Sequence, residues 1–176
     1  MKRWILWVPF IVFAVIGIVV ALNLVNPADR LIRSRQVGKE LPAFSLPEAM
    51  PGRAAIQRAD FAGGQPRILN IFASWCLPCI GEAPQLMELS RQGIPIDAVA
   101  IRDRPEDISR FLTQHGDPYR NIGLDKDASL QLAIGSSGVP ETYIVDGQGV
   151  IRYQHIGAIN ATDMARILEE YEKAKS

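Results

Sequence analysis

Cys76 and Cys79 are the only cysteines in the 176-residue chain, and they stand two residues apart in Trp75-Cys76-Leu77-Pro78-Cys79. Two sulfurs at that spacing suit three kinds of chemistry. A structural zinc site wants four ligands, and the two histidines, His115 and His155, stand alone without ligand-like spacing, so no metal is assigned. A purely structural disulfide would close a very small ring and remove little chain entropy. The third is dithiol exchange, in which one thiolate attacks a partner disulfide and its neighbour resolves the mixed disulfide. Exchange needs Cys76 stabilised as a thiolate, which the free N–H groups and dipole of a helix N-terminus provide, and Cys79 one turn further in.

The flanking sequence supplies those elements. Arg67–Ala73 reads as a buried strand and Ile80–Gln92 as a helix, so the pair falls at a strand-to-helix turn. Ile94–Ile101 is a second buried strand, set parallel to the first by a right-handed crossover. Pro105 opens a helix at its first position, with Ile108, Phe111 and Leu112 as its apolar stripe. Tyr119–Leu124 reads as a short strand and Ala128–Ile134 as a brief helix closed by Gly135. Glu141–Asp146 and Val150–Ile156 form a hairpin around Gly147-Gln148-Gly149. A terminal helix, Asn160–Lys175, places Met164, Ile167, Leu168 and Tyr171 on one face. Before the first strand, prolines limit Leu41–Pro47 to an edge strand or extended lead-in. A turn at Met50-Pro51-Gly52, a return strand at Ala54–Ile56 and a helical turn at Arg58–Phe61 follow. The sum is an α/β domain over 41–176, a central mixed sheet flanked by helices.

From Trp4 to Val25 no residue is charged, and Lys2 and Arg3 precede the run. As a helix it spans about 33 Å against a hydrocarbon core of about 30 Å. This predicts one N-terminal transmembrane helix within 1–26 and a juxtamembrane linker over 27–40 with a short helix at Asp29–Arg35. A cleaved signal peptide is the alternative, with Val19-Val20-Ala21 as a weak site. Lys2 and Arg3 favour an inside N-terminus, against Arg30, Arg33 and Arg35 beyond the other end. The folded part is then expected in an extracytoplasmic space. Basic and acidic residues balance at 19 each, which gives no hint of a nucleic-acid partner.

Asn70–Cys79 followed by Glu82-Ala83-Pro84 resembles the membrane-anchored, TlpA-like branch of the thioredoxin superfamily. Gly138–Asp146, Gly149–Tyr153 and Gly116-Asp117-Pro118-Tyr119 narrow the likeness to the thiol:disulfide interchange proteins of cytochrome c maturation, the CcmG/DsbE family, from about Val37 to the C-terminus. The resemblance implies a thioredoxin-like fold and a periplasmic reductant on the inner membrane, with no cofactor. Its acceptor would be apocytochrome c, whose haem-binding cysteines must be reduced, or a maturation thiol protein. Its electrons would come from a DsbD/CcdA-type membrane donor. Alternatives are a general extracytoplasmic TlpA-like reductase, a DsbA-like oxidant, which the uncharged Leu77-Pro78 disfavours, and a docking module without exchange.

Within that resemblance, Cys76 is the attacking thiolate, Cys79 the resolving thiol, and Trp75 a screen on the side of approach. Val139-Pro140 is the candidate cis-proline loop, where the Val139 backbone pairs with an extended substrate. Ordinary thioredoxins carry an aspartate six residues before the first cysteine; Asn70 occupies that position here and does not titrate. Glu82, i+3 from Cys79, and Glu141, after Pro140, are the two candidate proton acceptors. The alternative for Glu82 is a solvated helix acid.

Overall fold

The computed structural model describes residues 7–25 and 35–175. The chain divides into two units, Met1–Arg33 and Ser34–Ser176. In the first, α1 (Val8–Val25) is built from apolar residues, and Phe10 and Phe13 stand exposed on it. Among the described residues no helix is long and apolar enough to cross a membrane. Trp4–Leu6, the start of the predicted span, lie outside the described residues, as does most of the short helix expected at Asp29–Arg35.

The second unit opens with a two-stranded antiparallel ribbon, β1 (Ser45–Leu46) and β2 (Ile56–Gln57), and a 3-10 turn at Arg58–Phe61. Five longer strands follow: β3 (Arg67–Phe72), β4 (Ile96–Ile101), β5 (Ile122–Asp125), β6 (Glu141–Val145) and β7 (Ile151–Ile156). They form one sheet in the order β5-β4-β3-β6-β7. β3, β4 and β5 are parallel, and β6 and β7 return antiparallel. This is the mixed sheet expected, flanked by α2 (Leu77–Arg91), α3 (Pro105–His115), α4 (Ser129–Ala133) and α5 (Met164–Lys173).

Every residue of β4, and all of β3 after Arg67, is buried. Sheets covered on both faces need near-continuous apolar runs of this kind. α5 begins at Met164, later than the expected Asn160, because Asn160–Asp163 form a side-chain-bonded turn: Asp163 accepts from the Asn160 N–H at 3.0 Å and Asn160 from the Thr162 N–H at 2.9 Å. Ile167 and Tyr171 bury on the sheet, with Met164 and Leu168 partly buried beside them.

The segment over 38–49 pairs with the start of one sheet edge and along the other. The Gly38 N–H donates to Ile151 O and the Leu41 N–H to Gly149 O along β7, each at 2.8 Å, while the Ala49 N–H donates to Ile122 O at 2.9 Å along β5. Paired edges do not recruit other chains. The C-terminal ends of β3 and β4 lie side by side, and the turn from β3 into α2 carries the cysteines. In parallel sheets that end is where chemistry collects.

Candidate active site

Cys76 is the N-cap of α2, and its Sγ accepts the N–H of Cys79 at 3.2 Å. The same N–H is the donor a thiolate needs. Pro78 falls in the first turn, where its missing N–H leaves no helix bond unmade. The helix therefore starts at Leu77, three residues before the expected Ile80, and takes Cys79 into that first turn. Cys76 and Cys79 are joined as a disulfide. In this oxidised state they are similarly sheltered, 4% and 2% exposed. Both sulfurs belong to the buried core cluster, so the oxidised pair shows little of itself at the helix start.

What the surface offers beside the sulfurs is Trp75, 60% exposed, and Leu77, 78% exposed. Trp75 Nε1 donates to Arg102 O at 3.4 Å. Asp103 fixes the turn from below: its carboxylate accepts the Ser74 N–H at 2.6 Å, the Ser74 hydroxyl at 2.7 Å and the Arg104 N–H at 2.8 Å. The sequence reading missed Arg102 and Asp103. The signal available was that they directly follow β4, whose parallel register with β3 brings the two strand ends together.

Glu82 is fully buried, at 0% exposure. The solvated-acid alternative is thereby corrected: Glu82 points into the core from α2, one turn beyond Cys79. Its Oε1 accepts Asn70 Nδ2 at 3.0 Å and its Oε2 accepts the Ile159 N–H at 3.1 Å. Asn70 Nδ2 also donates to Thr142 Oγ1 at 3.0 Å, and Asn70 Oδ1 accepts the Tyr119 hydroxyl at 2.8 Å. Desolvation by burial raises the Glu82 pKa to about 7, against the lowering effect of those two donors. Burial, then the charges of Glu82 and Asp117, push the Tyr119 hydroxyl well above its ordinary 10. Tyr119, Thr142 and Ile159 were not identified from the sequence, because they reach Asn70 or Glu82 from distant parts of the chain.

The Val139–Pro140 bond is cis, as the loop reading anticipated. Val139 is half-buried and Pro140 buried. Glu141 is buried too, but on the other face of the sheet. Thr142 pairs across β3 with Asn70, and alternation turns Glu141 and Tyr143 away from that cluster. Its carboxylate accepts the Ser137 N–H at 2.8 Å, the Ser137 hydroxyl, the Tyr143 hydroxyl at 2.6 Å and Gln154 Nε2 at 3.1 Å. The two candidate acids are thus in different settings. Glu82 joins a sparse cluster beside the resolving cysteine, and Glu141 is filled with donors that tie down the loop before Pro140.

His115 packs its ring on Phe111, and His155 lies partly buried on β7 with Nε2 3.7 Å from Asp163. Among the described residues no group of three or more His, Cys, Asp and Glu side chains is arranged to hold a metal.

Residues 36–171 match the family model for redoxins. The thiol:disulfide interchange protein DsbE of Pseudomonas fluorescens biotype C is 34% identical over 161 residues, covering 91% of this chain and 88% of its own. DsbE of Escherichia coli strain K12 is 33% identical over 182 residues, covering 98% of each chain. Among solved structures, a DsbE-type protein from Chlorobium tepidum superposes with a TM-score of 0.63 at 23% identity, over 80% of this chain and 98% of that one; at that identity the likeness speaks for the thioredoxin-like fold. With a Cys-x-x-Cys pair at a helix N-terminus, the chain belongs to the redoxin family, among the DsbE-type thiol:disulfide interchange proteins, and its chemistry is dithiol–disulfide exchange.

Proposed function

We propose that this protein is a reductant of cytochrome c maturation, tethered in the inner membrane through Trp4–Val25, with residues 27–40 as linker and 41–176 working in the periplasm. The DsbE likeness supports the pathway, the 22-residue uncharged run supports the tether, and the uncharged Leu77-Pro78 between the cysteines supports the reducing direction. In the reduced protein Cys76 would be the thiolate. It attacks one sulfur of a partner disulfide, and the other partner sulfur leaves as a thiolate. Cys79 then gives up its proton and attacks Cys76 Sγ, which expels the second partner thiolate. Two electrons pass to the partner, which ends as a dithiol, while Cys76 and Cys79 end as the disulfide described above. Glu82 takes the Cys79 proton and returns it to solvent or to a leaving thiolate.

The observation that carries the reading is the Cys76–Cys79 pair at the helix N-terminus of a DsbE-like chain; for the proton step it is the Glu82 carboxyl, buried one turn from Cys79 with its pKa raised to about 7. A base is most useful when its pKa lies near the working pH. The Val139 backbone beside Pro140 would pair with the extended substrate, and Trp75 would line its approach. The substrate would be apocytochrome c or a maturation thiol protein, and a DsbD/CcdA-type donor would re-reduce the pair. The test is a full-chain Cys79→Ser variant, which cannot resolve its mixed disulfide. A chain carrying a haem-binding cysteine pair, or a maturation thiol protein, should be recovered with it from membranes. Recovery of no covalent adduct, or a reduction potential more oxidising than about −150 mV, would sink the reading.

A further inference from the structure

Tyr119 ends the Gly116-Asp117-Pro118-Tyr119 stretch, to which the exchange steps give no role. Its ring is buried against Phe72, with centroids 5.0 Å apart, and its hydroxyl reaches Asn70 Oδ1 at 2.8 Å. The backbone around it is held by other groups. Arg53 donates to the carbonyls of Tyr119 and Arg120 and pairs with Asp117, and the Tyr119 N–H donates to Asp117 Oδ1 at 3.2 Å. The hydroxyl is therefore free to serve the buried cluster alone.

An asparagine amide can sit in two orientations that exchange its oxygen and nitrogen, and the neighbours decide between them. With Oδ1 taken by the tyrosine proton, Nδ2 must face Glu82 Oε1 and Thr142 Oγ1, each 3.0 Å away. That orientation suits an ionised Glu82, since a carboxylate only accepts hydrogen bonds. The reverse sets an oxygen against Glu82 and rewards its protonated form, which can donate. In the reverse orientation the tyrosine oxygen could accept from Nδ2, but its own proton would be buried without an acceptor; removing the hydroxyl removes that preference for the present orientation.

We infer that Tyr119 is a positioning residue for the exchange reaction, its hydroxyl fixing the Asn70 amide so that a donor, and not an acceptor, meets Glu82. This rests on Glu82 being the acceptor of the Cys79 proton. Glu82 is bonded by neutral Asn70 from β3 and by the Ile159 N–H from the loop before α5; Asn70 in turn bonds neutral Thr142 from β6 and Tyr119, which feels the Glu82 charge, and Cys79 lies one turn back on the same helix. Asp117 acts beyond Tyr119 and is paired with Arg53.

The experiment is a carboxyl carbon NMR titration of Glu82 in the oxidised full chain, alongside the exchange rate as a function of pH. Tyr119→Phe keeps the ring and removes the hydroxyl. It should raise the Glu82 midpoint by about one unit, slow exchange at pH 7 about five-fold as the ionised fraction falls from about half to about a tenth, and leave the rate above pH 9 unchanged. In an Asn70→Leu background the same substitution should shift nothing further. An unmoved midpoint in Tyr119→Phe overturns the inference, and so does a shift that persists in full without Asn70, since it would not pass through the amide. Failure of the underlying reading looks different. There Glu82→Gln would leave the rate profile unchanged, while the carboxyl titration would still report whether Tyr119 sets the amide.

Discussion

A carboxylic acid sealed from water and given only two donors is a poor place for a charge, and Glu82 is held in that condition beside a cysteine that must lose a proton. Under the proposed role, Gln in its place keeps an oxygen for Asn70 Nδ2, sets an amide nitrogen toward the Ile159 N–H and removes the proton acceptor. Thiol exchange followed in a stopped-flow assay should slow on the order of 10²-fold at pH 7, the lower end for a positioned proton transfer, and recover toward the parent rate at alkaline pH. The inflection near 7 should disappear. Glu141 should behave otherwise, because its oxygens already answer four donors. Glu141→Gln places an amide among those donors, so the expected result is loss of stability with the inflection retained. Asn70 makes the difference intelligible. A second carboxyl in its place would share a proton with Glu82, whereas the amide stabilises one charge without adding another.

At the scale of elements, the site depends on how strand ends and short helices are finished. Asp125, at the end of β5, caps α4: its Oδ1 accepts the Ser129 N–H at 2.9 Å and its Oδ2 the Gln131 N–H at 3.0 Å. α4 leads directly into the loop that ends at Pro140. Asp125→Ala should lower unfolding stability by about 1–2 kcal/mol, the usual loss of a cap, and amide exchange should quicken first across α4. The β1–β2 ribbon sets a different constraint. A Cβ on Gly123 would meet Ile56 Cγ1 at 2.5 Å and Leu46 Cβ at 2.9 Å. Gly123→Ala should therefore cost about 1–3 kcal/mol through overpacking, read by denaturant unfolding, with the exchange chemistry of the folded fraction intact. Neither Asp125 nor Gly123 belongs to the dithiol; each holds a neighbouring element to the sheet that carries it.

For the folded domain as a whole, the buried acid links stability to pH. The Glu82 pKa is about 7 when folded and 4.5 when free, so between those values the folded state binds more protons than the unfolded one. Its contribution is fully present below about pH 4.5 and is lost as pH rises through 7, a loss of about 3 kcal/mol. Denaturant titrations at pH 5 and pH 8 should show the parent chain losing stability over that interval by more than Glu82→Gln does. At pH 8 the Gln variant should be the more stable of the two. Equal losses would mean that Glu82 is ionised throughout. A protein poised for exchange near neutrality carries the cost of a buried charge there.

Spacing along the chain was enough to place what is local. A Cys-x-x-Cys between a buried apolar run and a helix, a proline before a strand, and an acid at i+3 from Cys79 are relations within a few residues, which backbone periodicity turns directly into geometry. The buried strands followed from runs that only two-sided burial explains; their order in the sheet came from the tertiary structure. What the sequence left open was which of Glu82 and Glu141 stands with the dithiol, and whether Glu82 meets water. Those answers came from the pairing of Asn70 with Thr142, which puts Glu141 on the far face, from Ile159, which bonds the acid from 77 positions further along the chain, and from Tyr119, which bonds Asn70 from 37 positions beyond the acid. Desolvation depends on everything packed around a group, so the proton affinity of Glu82 existed only once the sheet and the loops above it had come together.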